Sequence, residues 1–305
     1  MTESEKNRGF LFKLRDLYDL HYKKLLIIPT IILFLAVSLI AQKYMVTGDF
    51  VNRGVSLKGG ITVNIPLASI DPVEFQDYMK SIFPTNDIII KVVNKLDETN
   101  GLIIEADLTK EADITVFKQE IENKLKISET EYSIEIMGST LGASFFKETV
   151  KAIIFAFLFM SIVVFLYFKI PTPSLAVVLA AFSDIITTLA VVNLMGIKLS
   201  TAGIAAFLML IGYSVDTDIL LSTRVLKRRE GTVPERIRKA MKTGFMMSVT
   251  TLGAVTAGLL VAESEVIIQI MTILLIGLLA DLVYTWLQNA PLLRWYLERK
   301  DNAQN

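Results

Sequence analysis

The sequence predicts an α-helical membrane protein of six transmembrane helices, with one α+β external domain inserted between the first span and the second. Three observations predict it. Hydrophobic residues make up 52% of the 305 residues and the mean hydropathy is +0.52, a combination rare in water-soluble domains of this length. The apolar residues are bunched into six runs, each near the roughly 20 residues a helix needs to cross the hydrocarbon core. Basic residues gather in alternate connections, the asymmetry that orients spans in a bilayer.

Residues 1–24 form a basic leader with Lys6, Arg8, Lys13, Arg15, Lys23 and Lys24. LLIIPTIILFLAVSLIA follows as the first span, taken to extend over 25–43. A signal peptide is the rival reading, but no clear small-residue cleavage site follows Ala41, so the span is expected to stay uncleaved.

Residues 44–149 are polar, and between Met45 and Glu148 they hold 17 Asp and Glu against 10 Lys and Arg. GGITVNIP alternates as a strand does. DPVEFQDYMKSIF opens a helix, with Asp71 at the N-cap and Pro72 in the first turn. DIIIKVVNKL and GLIIEADL are β-branched strands joined by DETNG, whose Asn100-Gly101 is a hairpin signal. Ile114, Phe117, Ile121 and Leu125 recur at helical spacing, and EYSIEIMG closes as a strand. The order βαββαβ is that of the ferredoxin-like split unit, a fold that by itself suggests only a docking module.

The remaining spans lie within 150–290. Their apolar runs are 152–168, which is uncharged and closed by the breaker KIPTP, then 174–197, 199–222, 244–262 and 266–287. The connection 224–243 carries Arg224, Lys227, Arg228, Arg229, Arg236, Arg238, Lys239 and Lys242. With six spans this loop, the leader and the tail 291–305 all fall on one side. Both termini are therefore expected in the cytoplasm of a multi-pass protein of the cell membrane.

Composition also excludes functions. There is no cysteine, hence no disulfide, thiol catalysis or Cys-ligated metal. The single histidine, His21, sits among Tyr22 and Lys23 as an interfacial residue would. No phosphate-binding loop is present, and a net charge of zero gives no basic field for nucleic acid. No enzymatic activity, cofactor or metal is expected.

What remains are acids at membrane depth. Asp184 lies about 15 Å inside its span and Asp216 about 11 Å, at 1.5 Å per residue; Asp281 is similarly placed. Thr187 and Thr188 in span three and Ser248, Thr250 and Thr251 in span five share that layer. A charge at the centre of a helix costs about 2.5–3.5 kcal/mol, and no cation stands at this depth. The acids must be protonated, hydrated or hydrogen-bonded to hydroxyls, as in proton relays. Asp216 and Asp218 lie about 200° apart around a helix. Asp216 is expected to face the bundle, and Asp218 another helix or the cytoplasmic exit. Arg224 is expected to anchor the span's end. The bland alternative is interhelical hydrogen bonding alone, worth about 0.6 kcal/mol on average.

GYSVDTDILLSTRV resembles the signature of SecF, the smaller subunit of the SecDF protein-export complex, a member of the resistance–nodulation–division (RND) superfamily. MGSTLGASF resembles a second family element through Gly138 and Gly142, FSDIITTLAVVNLMGIKLS a third through Asp184 and Leu189, and APLL the end of span six. GVSLKGG keeps Gly54, Gly59 and Gly60 of another. Asp216 stands where most bacterial members have Asn, and Thr217 where they have the acid implicated in proton movement. VDTD is closer to the partner SecD, and these departures resemble an archaeal form.

The resemblance implies a subunit that pairs with SecD into twelve pseudo-symmetric helices beside the SecYE channel. It would act on a translocating polypeptide, within membrane lipid, and draw on the proton-motive force. The relay would comprise Asp216, Asp184, Asp218 and Asp281, supported by Arg224, Thr187, Thr250 and Thr251. Two alternatives are half of an RND-type proton-coupled small-molecule or lipid exporter, and an assembly subunit whose acids are inert.

Overall fold

The computed structural model describes residues 20–66, 71–94, 100–227, 231–262 and 264–302. Most of the leader, residues 97–99 of the DETNG turn, Arg228, Arg229, Glu263 and the last three residues of the tail lie outside them.

Helix α1 (Ile27–Thr47) follows a helical segment that breaks at Leu26. Pro29 explains the break: it has no N–H for the Leu25 carbonyl, and its ring crowds that oxygen. After the single turn α2 (Val55–Lys58) come β1 (Gly60–Ile65), α3 (Pro72–Ile82), β2 (Ile88–Asn94), β3 (Asn100–Ala106), α4 (Glu111–Leu125) and β4 (Ser133–Met137). This is the order the sequence pattern predicts. The strands form one antiparallel sheet ordered β2-β3-β1-β4, with Val63 opposite both Ile104 and Ile134. Asp71 caps α3 by accepting from the Val73 amide at 2.8 Å, with Pro72 in the first turn. Ile61, Val63 and Ile65 alternate onto the face covered by Phe75 and Met79 of α3 and Ile114, Phe117 and Ile121 of α4. Each such side chain contributes about 1.5–3 kcal/mol on burial.

Among the described residues, six stretches are long and apolar enough to cross a membrane, beginning with Leu20–Thr47. The others are α5 (Ser139–Phe168), α6 (Pro171–Leu194), α7 (Thr201–Leu226), α8 (Val233–Val261) and a sixth running from Glu265 to Lys300. That last one is compound: α9 (Glu265–Tyr284), a π-helical turn (Thr285–Asn289) and α10 (Ala290–Asn302). Between α5 and α6, Lys169 is left-handed and Ile170 extended, as the residue before Pro171 must be. Thr232 and Glu235 form a capping box at the start of α8. Helices α6 and α7 are the most buried; α9 packs on α6, α7 and α8, while α1 lies on α6.

Two kinds of contact fix the sheet over the helix ends. The first is backbone against backbone. Gly59 has φ 95°, and a Cβ there would stand 2.5 Å from Ser139 Cα; one on Gly142 would stand 2.9 Å from the Gly59 nitrogen. The turn α2 therefore lies directly on the first turns of α5. The second is polar. Lys91 on the open sheet face pairs with Glu105 at 2.9 Å and with Glu265 at the start of α9, and Lys198 pairs with Asp87 at 2.7 Å. Burial disfavours the Lys91 ammonium, but the Glu105 and Glu265 carboxylates outweigh it and raise its pKa. Asn193 at the end of α6 holds the chain between α1 and α2, donating to the Phe50 carbonyl at 2.9 Å and accepting from the Asn52 amide at 3.1 Å.

Candidate functional site

Three membrane helices bring carboxylates into one interior. Asp184 of α6 is 0% exposed, Asp218 of α7 0% and Asp281 of α9 1%. The placement follows from helical phase. On α7 the buried face runs through Leu210, Ser214, Asp218, Leu221, Ser222 and Val225, positions three or four apart that stack on one side. On the sixth span Asp281, Thr285 and Asn289 follow one another at intervals of four, and all are buried.

Hydroxyls and one amide connect the acids. Ser214 Oγ donates to Asp184 Oδ2. Thr285 Oγ1 lies 3.0 Å from Asp218 Oδ1 and 3.1 Å from Asp281 Oδ1, and Asn289 Nδ2 donates to Asp218 Oδ1 at 2.7 Å. One layer away, the hydroxyls of Thr187 and Tyr284 meet at 2.6 Å, and Gln288 Nε2 reaches Ser183 Oγ at 3.4 Å. Each carboxylate keeps one buried oxygen without a hydrogen-bond partner among the described residues: Asp184 Oδ1, Asp218 Oδ2 and Asp281 Oδ2. No lysine, arginine or histidine is buried among those residues. The arrangement is an acid cluster lined by hydroxyls and amides inside the helix bundle, with acceptor capacity to spare. It can take up and hand on protons, or accept donors that enter.

Two expectations are corrected here. Asp216 does not face the bundle. It lies on the open side of α7 with Gly212 and Tyr213, and Asp218 takes the interior place. The two are about 200° apart, so only one can point inward, and the phase set by Leu210, Ser214 and Ser222 selects Asp218. Thr250 is on the exposed side of α8 and Thr251 only half-buried; both bond carbonyls of their own helix, at Met246 and Met247. They do not reach the acids, and Ser248 is the buried hydroxyl of that region. Arg224 donates to the Lys239 carbonyl at 3.1 Å, joining the ends of α7 and α8. Ser214, Thr285, Gln288 and Asn289 were not singled out from the sequence. The signal that could have found them is the recurrence of polar residues every four positions, Ser214-Asp218-Ser222 and Asp281-Thr285-Asn289.

A family model described as protein export membrane protein SecD/SecF, C-terminal, matches residues 116–299. The protein-export membrane protein SecF of Pyrococcus furiosus is 39% identical over 292 residues, covering 96% of this chain and 97% of that protein. That of Methanothermobacter thermautotrophicus is 41% identical over 283 residues, covering 91% and 93%. Among solved structures, SecDF of a Thermus species, described as a translocon-associated membrane protein, aligns with TM-score 0.72 and 16% identity over 92% of this chain. A second SecDF structure aligns at TM-score 0.60 and 17% identity. At such identity the likeness is one of fold, and this chain spans 38% and 39% of the length of those two chains. With relatives of nearly equal length at 39% and 41% identity, the chain belongs to the SecF family of protein-export membrane proteins.

Proposed function

We propose that the protein is the SecF-type subunit of a SecDF complex that assists protein translocation across the cytoplasmic membrane, driven by the proton-motive force through its buried carboxylates. A role in protein export follows from the family. The proton coupling rests chiefly on one observation: three acids are buried without a cation, and each has an oxygen left unpartnered. An unpaired buried polar group costs about 1–3 kcal/mol, and most buried polar groups are hydrogen-bonded. Groups that must gain and lose a proton keep that spare capacity.

Asp216 supports the pairing with SecD. Facing lipid, its carboxylate would cost about 2.5–3.5 kcal/mol; covered by a second six-helix unit, it gains polar company. In this reading the basic loop and both termini face the cytoplasm, and residues 44–149 form a ferredoxin-like external domain. The antiparallel order β2-β3-β1-β4, with both helices on one face, supports that assignment. The external domain would meet the polypeptide leaving the SecYE channel.

The test is export of a Sec-dependent protein into membrane vesicles, with the gradient present or collapsed. Asp218→Asn combined with Asp281→Asn is expected to abolish the gradient-dependent share and leave the gradient-independent share in place. Unchanged dependence on the gradient in that double variant would remove the relay.

A further inference from the structure

Counting hydrogens at Thr285 carries the site further, resting on the relay reading above. A threonine hydroxyl has one hydrogen to give, and ionised carboxylates only accept. Yet Thr285 Oγ1 lies within hydrogen-bond distance of both Asp218 Oδ1, at 3.0 Å, and Asp281 Oδ1, at 3.1 Å. If both acids were ionised, one of these contacts would set lone pair against lone pair, between two buried negative charges. If both were neutral, Asp218 Oδ1, which also receives the Asn289 amide at 2.7 Å, would be a neutral oxygen given two donors, an arrangement suited to an anion.

We infer that Asp218, Thr285 and Asp281 form a one-proton unit. Asp281 carries the proton and donates it to Thr285 Oγ1; Thr285 donates its own hydrogen to Asp218 Oδ1; Asn289 holds Asp218 as the ionised member. The other hydroxyls near Asp281 do not replace this donor. Ser214 gives its hydrogen to Asp184 Oδ2, and Thr217 gives its own to the Tyr213 carbonyl at 3.3 Å. Among the described residues, the ionisable groups around the unit are Asp184 from α6 and Tyr284 of the Asp281 helix, the latter bonded to Thr187. The unpartnered Asp218 Oδ2 and Asp281 Oδ2, both buried, are where a further donor would bind. Thr285 and Asn289 are thus positioning residues. They set which acid holds the proton and give it a path through one hydroxyl: Thr285 passes its hydrogen to Asp218 as it takes the proton of Asp281.

Infrared spectroscopy of the full chain in lipid nanodiscs at neutral pH tests the inference. Protonated carboxyls are identified by the shift of their C=O band in heavy water. The variant Asp218→Asn with Asp281→Asn is expected to lose absorption equal to one protonated carboxyl per chain. Thr285→Val is expected to move that band, and Thr285→Ser to restore its position. No loss in the double variant, a loss of two carboxyls, or a band unmoved by Thr285→Val each overturns the one-proton unit. Should the double variant fail to assemble, the paired Thr285 spectra decide alone. The measurement needs neither gradient nor export, so the two readings fail separately. One bound proton with normal export by the double variant sinks the relay only; no bound proton with lost gradient dependence sinks the unit only.

Discussion

Replacing Gly142 with alanine adds one methyl group at the seam between the sheet domain and the membrane helices. That methyl would stand 2.9 Å from the Gly59 nitrogen and 3.2 Å from the carbonyl carbons of Leu57 and Lys58. All three neighbours are backbone, so no side-chain rotation relieves the contact. Overpacking of this kind costs about 1–3 kcal/mol. Against it stands the gain from replacing glycine inside a helix, about 0.5–1 kcal/mol. The balance is a loss of up to about 2.5 kcal/mol by those two figures, and the strain falls on α2, which leads into β1 and lies on α5. Gly253, in the interior of α8, supplies the control: a methyl there meets nothing within 4 Å, so its alanine variant is expected to match or exceed the parent. Thermal unfolding of both variants in nanodiscs, with hydrogen exchange read over residues 55–60, measures the difference. Equal stability of the two alanine variants, with unchanged exchange at α2, would refute the claim that the sheet domain is set by a backbone contact only glycine permits.

Lys91→Met removes the cation shared by Glu105 and Glu265 and leaves Glu105, 8% exposed, without its partner. Lying between the exposed and fully buried cases, the loss is expected to be about 1–3 kcal/mol. It should appear as faster exchange at the start of α9, and an unaltered exchange profile there would count against the latch. A pH effect is expected at Asp107. Burial opposes its charge, but the Asp87 amide at 2.8 Å, Lys58 at 3.1 Å and Asn86 at 3.2 Å hold it below the ordinary Asp value. A depressed carboxyl contributes stability that is present above its unfolded pKa of about 3.9 and lost as the pH falls through the lower folded value. Acid titration of the unfolding temperature should therefore show a decline below about pH 4 that Asp107→Asn flattens; identical curves would remove Asp107 from that role.

Periodicity was legible wherever one physical force set it. Ile61, Val63 and Ile65 alternate because one sheet face is covered and the other is not, and Asp71-Pro72 starts α3 for reasons local to two residues. Phase within a membrane helix is harder to read, because lipid-facing and core-facing residues are both apolar. Hydropathy therefore placed α7 without orienting it, and the choice between Asp216 and Asp218 needed the polar repeat Ser214-Asp218-Ser222. The contacts of Lys91 with Glu265 and of Lys198 with Asp87 join residues far apart in the chain. No local pattern announces such pairs.

The π turn shows why Asn289 in particular escaped. Pro291 lies just inside α10 and has no N–H for the Leu287 carbonyl, while its ring crowds that oxygen. The helix widens immediately before it, with the Ala290 amide bonding the Thr285 carbonyl five residues back. In an α-helix, residues four apart differ by about 40° around the axis at 3.6 residues per turn. A wider turn rotates less per residue, which brings Asn289 back over Thr285, so that both address Asp218 Oδ1. Such single-turn insertions recur at functional sites, and here the cause is visible. The proline that disturbs the end of the sixth span aligns an amide and a hydroxyl on one carboxylate, so a local backbone rule decides how the acid cluster is held.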